Sequence, residues 1–203
     1  MTGLVPQVAG AADVDDLVAL IESAYRGDAS RAGWTTEADL LDGQRTDADM
    51  VAEMMALPGS VVLLLRDEAG AALATVNLRD LAGGTVYFGS FAVSPRGQGR
   101  GVGSALMDAA EAFARDRFAA ERMRMTVIDR RTELIAFYER RGYVRTGERE
   151  PFPYGDVRFG EPRTDDLEFV VLVKELDPQA VRARLADGRS PTRRLAELDP
   201  QAG

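Results

Sequence analysis

Apolar positions recur along this chain in two periods. Over residues 87–93 they read as a strand, and after it Val102, Leu106, Ala109 and Phe113 recur at spacings of four, three and four. Asp108, Glu111, Arg115 and Asp116 stand among them, so this stretch predicts an amphipathic helix packed on a sheet. Between the two lies Ser94-Pro95-Arg96-Gly97-Gln98-Gly99-Arg100-Gly101-Val102-Gly103-Ser104, which makes the order strand, glycine loop, helix. Upstream, residues 4–8 predict a short strand, and residues 14–25 a helix with Leu17, Leu20, Ile21 and Ala24 on one face and Asp13 as its N-cap. Residues 60–66 and 71–79 are apolar runs joined by Asp67-Glu68-Ala69-Gly70, a hairpin, and Gly83-Gly84 turns the chain into the strand that follows. Downstream come a strand over 123–128, a helix over 133–141 capped by Thr132 and stopped by Gly142, and strands over 143–148 and 167–173.

Three antiparallel strands thus precede the glycine loop, and strand, helix and strand around it make a right-handed crossover with two parallel partners. The segment between the first two strands carries a polar loop with the only Trp, then two short helices. Thr35 or Thr36 caps the first, and Thr46 with Asp49 caps the second. Residues 150–162 are too rich in Pro and Gly for a regular element and read as a lid or a solvated excursion. From residue 177 the chain turns polar and charged, with one short helix around 181–185. The division expected is one domain over 1–176 and a loosely packed tail over 177–203.

Composition narrows the chemistry. There is no Cys and no His, so a Ser-His-Asp triad, a Cys-His dyad and a structural zinc site are excluded, and any general base is a carboxylate, a tyrosine or water. No metal is expected. A formal charge of −8 argues against a nucleic-acid partner. No apolar run approaches a membrane span and the N-terminus lacks the pattern of a signal peptide, which predicts a cytoplasmic protein without a membrane partner.

The alternating glycines let backbone N–H groups approach a ligand at the positive end of a helix, a setting for phosphate, and Arg96 and Arg100 add guanidinium forks. A diphosphate is the expected ligand. The dinucleotide fingerprint G-x-G-x-x-G fails in both registers, because Val102 and Ser104 stand where its last glycine belongs. A P-loop needs a lysine beside its last glycine, and the only lysine is Lys174. What remains, Gln98-x-x-Gly101-x-Gly103, resembles the Q/R-x-x-G-x-G/A signature of the GNAT superfamily of acyl-CoA-dependent N-acyltransferases. Ala136-Phe137-Tyr138-Glu139-Arg140-Arg141-Gly142-Tyr143 resembles the superfamily's second hallmark, an L/F-Y-x-x-x-G-F/Y segment, in the expected order.

The resemblance covers residues 4–174. It implies an α+β (α/β) GNAT-like fold: a mixed, mostly antiparallel central sheet of about seven strands with a parallel strand-helix-strand crossover and helices on both faces. It implies acetyl-CoA or a related acyl-CoA as donor and a primary amine of a small molecule as acceptor. Phe91, Ala92 and Val93 would offer backbone groups to the pantetheine, with the Val93 N–H polarising the thioester carbonyl. Arg96, Gln98, Gly99, Arg100, Gly101, Val102, Gly103 and Ser104 would hold the pyrophosphate. Tyr138 would protonate the departing thiolate. The family often has Asn seven residues before this tyrosine; here Arg131 stands there and inherits no role.

A base must take the amine's proton, and the candidates stay open. Glu168 stands on the face of the last strand opposite Leu167, Phe169, Val171 and Val173; Glu37 and Asp156 lie in loops; a water chain serves equally. Arg31, Trp34, Glu37, Tyr154 and Asp156 are the expected acceptor contacts. Gly33-Trp34-Thr35-Thr36-Glu37 and Pro151-Phe152-Pro153-Tyr154 resemble uncharacterised bacterial members of the superfamily, which implies no known acceptor. The acidic balance favours a cationic amine, whereas Arg31, Arg45 and Arg158 favour one bearing a carboxylate. Superfamily members often dimerise, which leaves a homodimer open. The competing reading is an acyl-CoA-binding sensor or partner-binding domain of the same fold without turnover.

Overall fold

A computed structural model describes residues 5–26, 30–31, 33 and 35–176. Trp34 and the tail over 177–203, with its expected helix, lie outside the described residues. The elements are β1 (Gln7–Val8), α1 (Val14–Tyr25), β2 (Leu41–Asp42), α2 (Ala48–Ala56), β3 (Ser60–Arg66), β4 (Ala72–Asp80), β5 (Thr85–Val93), α3 (Val102–Phe118), β6 (Arg122–Ile128), α4 (Thr132–Arg140), β7 (Val144–Pro151), β8 (Glu161–Pro162) and β9 (Glu168–Glu175). The main sheet has seven strands in the order β1-β3-β4-β5-β6-β9-β7. Each neighbouring pair is antiparallel except β5 and β6, whose parallel pairing is the crossover carried by α3. Among the described residues no helix is long and apolar enough to cross a membrane.

Strand alternation builds a core on each face. Leu63 and Leu65 of β3 pack with Leu106, Met107 and Ala110 of α3 and Ile135 of α4, while Val62 and Leu64 pack with Leu17, Leu20 and Ile21 of α1 and Val51 of α2. Helices therefore cover both faces. On α3 the buried stripe is Val102, Leu106, Met107, Ala110, Glu111 and Ala114, turned from the expected line through Ala109 and Phe113. Glu111 can face inward because Lys174, at 2.6 Å, neutralises it.

The caps differ from expectation. Asp13 occupies the N-cap position of α1 as expected, but its side chain makes no capping bond there; its carboxylate takes the Gly10 N–H at 2.8 Å and Arg66 of β3 at 2.6 Å. Asp47 rather than Thr46 caps α2, accepting the Met50 N–H at 2.8 Å. Thr132 opens α4 as a helical residue without a capping bond. The helix expected after Thr36 is a turn that leads into β2, and β2 pairs with β8 of the 150–162 segment. That pairing was illegible locally, because its partners stand far apart in sequence.

One feature of the sheet positions the site. β5 and β6 pair only over Thr85–Tyr87 and Arg122–Arg124, although both strands continue beyond. β6 stays in register with β9 through Ile128. β5 instead carries a bulge against β4, where the register shifts between Thr75 and Asn77 and Ser90 adopts φ 47°. A bulge bends its strand, so β5 and β6 splay apart toward their carboxyl ends, where open sheets bind ligands.

Candidate active site

Two cavities flank this opening. The loop cavity, about 290 Å³, is lined by Phe91, Ala92, Val93, Gln98, Gly99, Gly101, Gly103 and Ser104, together with Thr35, Phe137 and Arg140. The aromatic cavity, about 370 Å³, is lined by side chains of β5, β6 and α4 and by Leu41, Phe152, Pro153 and Phe159. Tyr25, Phe91, Arg131 and Leu134 line both, so the cavities share a wall.

The loop cavity is built mainly of backbone. Ser94 donates its N–H to Leu73 O at 2.8 Å, which makes that pair a hydrogen-bonded one. Val93, one residue earlier opposite Ala74, therefore turns its N–H and C=O away from β4, toward the opening. Its carbonyl accepts Gln98 Nε2 at 3.1 Å, and the Phe91 carbonyl accepts the Tyr25 hydroxyl at 2.7 Å. Gly99 and Gly101 have φ of +74° and +79° with open space where a side chain would stand. α3 begins at Val102 without a side-chain cap, so the N–H groups of Val102, Gly103 and Ser104 have no partner among the described residues. Bare backbone beside uncapped amides at a helix N-terminus fits a pyrophosphate. Arg96 and Arg100 are exposed on the same loop, while Val102 is buried beneath it.

The aromatic cavity holds the charged side chains. Glu37 is buried and shared by three arginines: Arg26 Nη1 at 2.8 Å, Arg131 Nη1 at 2.9 Å and Arg45 Nε at 3.8 Å. Burial alone would raise its carboxyl, but Arg131, Arg45 and Arg26 outweigh burial and hold it below its ordinary value. Arg131 also donates to Thr35 Oγ1 at 3.0 Å, and Arg45 and Arg131 lie 5.2 and 5.4 Å from the centre of the Tyr25 ring. Arg131 therefore does not face solvent.

Tyr138 lies one turn beyond Leu134 on α4 and lines the aromatic cavity. Its ring packs against Phe91, with centroids 6.4 Å apart. Burial pushes its phenol far above the usual range, with Arg131 pulling in the opposite direction.

Other expected residues fall elsewhere. Glu168 is exposed at the start of β9, paired with Arg149 at 2.7 Å, and lines neither cavity. Its strand is buried on both faces, Val170 and Leu172 in one core and Leu167 and Phe169 in another, which alternation in the sequence did not separate. Arg31 is exposed and paired with Asp39. Asp156 is taken by Arg158, and the Tyr154 hydroxyl accepts the Leu167 N–H at 2.6 Å; neither side chain lines a cavity. Of the expected acceptor contacts among the described residues, Glu37 lines the aromatic cavity, as does Arg45, which the sequence marks as a carboxylate partner. Tyr25, Arg131, Arg140 and Glu150 line the cavities although the sequence singles none of them out as a site residue; for Arg131 the signal is its place seven residues before Tyr138.

The sequence matches the acetyltransferase (GNAT) family over residues 19–143. The chain belongs to this family. No curated protein matches the chain by sequence. Among solved structures, it resembles a protein provisionally assigned as a phosphinothricin N-acetyltransferase, with a TM-score of 0.65 and 18% identity over 86% of this chain and 99% of that one. It also resembles a variant of spermidine N-acetyltransferase from Vibrio cholerae (TM-score 0.61, 12% identity, 89% and 99% covered). A third likeness is to the ribosomal-protein-S18-alanine N-acetyltransferase from Escherichia coli (TM-score 0.61, 12% identity, 85% and 94% covered). At identities this low the structural likeness shows a shared fold alone.

Proposed function

We propose that the protein transfers an acetyl group from acetyl-CoA directly to a primary amine of a small molecule. The observation that carries this reading is the shared wall: a cavity of backbone donors suited to the donor's pyrophosphate opens beside the aromatic cavity, which holds a buried, protonated tyrosine. In this reading Val93 N–H donates to the thioester carbonyl oxygen as negative charge develops there, an interaction typically worth about 3 kcal/mol. The amine nitrogen bonds to the carbonyl carbon, the carbon–sulfur bond breaks, and Tyr138 gives its proton to the leaving sulfur. Arg131 stabilises the phenolate left behind.

The amine's proton needs an acceptor. Glu37 is a poor one, because three arginines hold it ionised and engaged. Glu150 lines the aromatic cavity with one oxygen on Arg124 and the other free of protein donors among the described residues, so it takes the proton directly or through water. The residues on 1–176 form the acetyltransferase unit in this proposal, and the tail over 177–203 lies outside it.

Ligand binding to the native state raises its stability by RT ln(1 + [L]/Kd). The thermal midpoint is therefore expected to rise with about 1 mM acetyl-CoA, and an amine panel is expected to release free thiol. A midpoint unmoved by acetyl-CoA overturns the reading. Binding without thiol release across the panel favours the sensor instead, a reading motivated by the engagement of Glu37.

A further inference from the structure

Charge around the aromatic cavity is unbalanced once the groups bonded to its lining residues, Arg26, Glu22 and Arg124, are counted with them. Arg26 and Arg131 each take one oxygen of Glu37 at hydrogen-bond distance, whereas Arg45 approaches it only through Nε at 3.8 Å. The terminal nitrogens of Arg45 have no hydrogen-bond partner among the described residues. Glu22 holds the Arg45 and Thr46 N–H groups at 2.5 and 2.7 Å, so it fixes the backbone there and leaves the guanidinium unmatched. Counting Glu22 with Glu37, Arg26, Arg45 and Arg131 still exceed the carboxylates by one. Glu150, the other carboxylate on the wall, is neutralised by Arg124. Arg131 is nine-tenths buried and its Nε has no hydrogen-bond partner among the described residues. Apart from five hydroxyl-bearing side chains, Tyr138 among them, the rest of the wall is apolar, with Phe88, Met125, Val127, Phe152 and Phe169.

A surplus cation held at a partly desolvated wall is stabilised by an anion that enters, and a guanidinium presents two parallel donors to a carboxylate. A polyamine would instead set a second positive charge against Arg45 and Arg131. We infer that the acceptor amine also carries a carboxylate and an apolar body, as an apolar amino acid does, and that Arg45 receives the carboxylate. The inference rests on the acyl-transfer reading above and adds the class of acceptor.

The test compares initial rates of thiol release from acetyl-CoA with L-phenylalanine, L-methionine, their amides and spermidine. It is paired with thermal midpoints in the presence of CoA and either N-acetyl-L-phenylalanine or its amide, for the natural chain and for Arg45→Met. The acids are expected to exceed their amides about tenfold in kcat/KM, the scale of one charge-assisted contact, with spermidine slower still. Arg45→Met is expected to raise KM for the acids about tenfold with little change in kcat, and to remove the preference. Equal use of acid and amide, or spermidine as the best acceptor, overturns the inference and leaves acetyl transfer standing. Absence of thiol release with every amine overturns acetyl transfer, and the midpoints then decide: stabilisation by the acid but not the amide, lost in Arg45→Met, supports the carboxylate site, and its absence overturns it.

Discussion

The loop cavity takes most of its wall from one continuous stretch, Phe91 to Ser104, and presents backbone groups whose directions follow from a strand end, two left-handed glycines and a helix start. The aromatic cavity gathers Tyr25, Glu37, Arg45, Tyr138, Glu150 and Phe159 from widely separated segments, and its character lies in side chains held by one another. The first is specified by local conformation; the second exists only where several segments converge. A change in the loop should act through backbone geometry and donor affinity, and a change in the aromatic cavity through charge balance, chemistry and global stability.

The sharpest test of that contrast is Tyr138→Phe, expected to lower kcat by about 100-fold or more while leaving acetyl-CoA affinity near normal, measured by steady-state kinetics and by titration of the donor. Because burial raises the phenol, Tyr138 stays protonated below its usual value of 10, so no alkaline loss of rate below that pH should trace to it. A downturn there would assign the titration to another group. Unchanged turnover in Tyr138→Phe would remove the tyrosine from the chemistry and leave it a packing residue.

Glu37→Gln comes next. It leaves Arg26, Arg45 and Arg131 without their shared counter-charge, and breaking a buried pair this way costs about 3 kcal/mol or more, read by urea unfolding. The sign of its pH dependence follows from the lowered carboxyl. Its stabilisation is complete above the ordinary value of 4.5 and is lost as pH falls through the depressed folded value, and the Gln variant should lack that acid-side slope.

Gly101→Ala should cost about 1–2 kcal/mol, because its φ of +79° strains any residue with a Cβ, and it should weaken acetyl-CoA by shifting the first amides of α3. Open space surrounds the position, so a loss of this size would be backbone strain and not a clash. The smallest effect is expected from Arg100→Ala, roughly threefold weaker acetyl-CoA at low salt and indistinguishable at high salt, since an exposed guanidinium is screened.

The strand-loop-helix unit was readable because its signals are local: an apolar run, alternating glycines, and a helical period. The helix over 14–25 and the strand over 60–66 appear with the bounds expected of them. Capping was less readable, since neighbouring Thr46 and Asp47 offer similar oxygens and backbone geometry selects between them. Glu168 looked available because its strand alternates, yet a partner strand places Arg149 beside it. Arg131 inherits no role from its place in the sequence, and only the approach of the turn bearing Glu37 makes it a buried member of both cavities.

The sequence by itself determined the element order, the glycine-rich helix start, the absence of imidazole and thiol chemistry, and the family. Those depend on residue type and on spacing within a few turns of chain. The tertiary structure alone decided where β5 and β6 part, that β2 pairs with β8 of the 150–162 segment, and that three arginines converge on one carboxylate. Such features arise from a bulge and from contacts between segments distant in sequence, and neither periodicity nor composition encodes which distant side chains will share a charge.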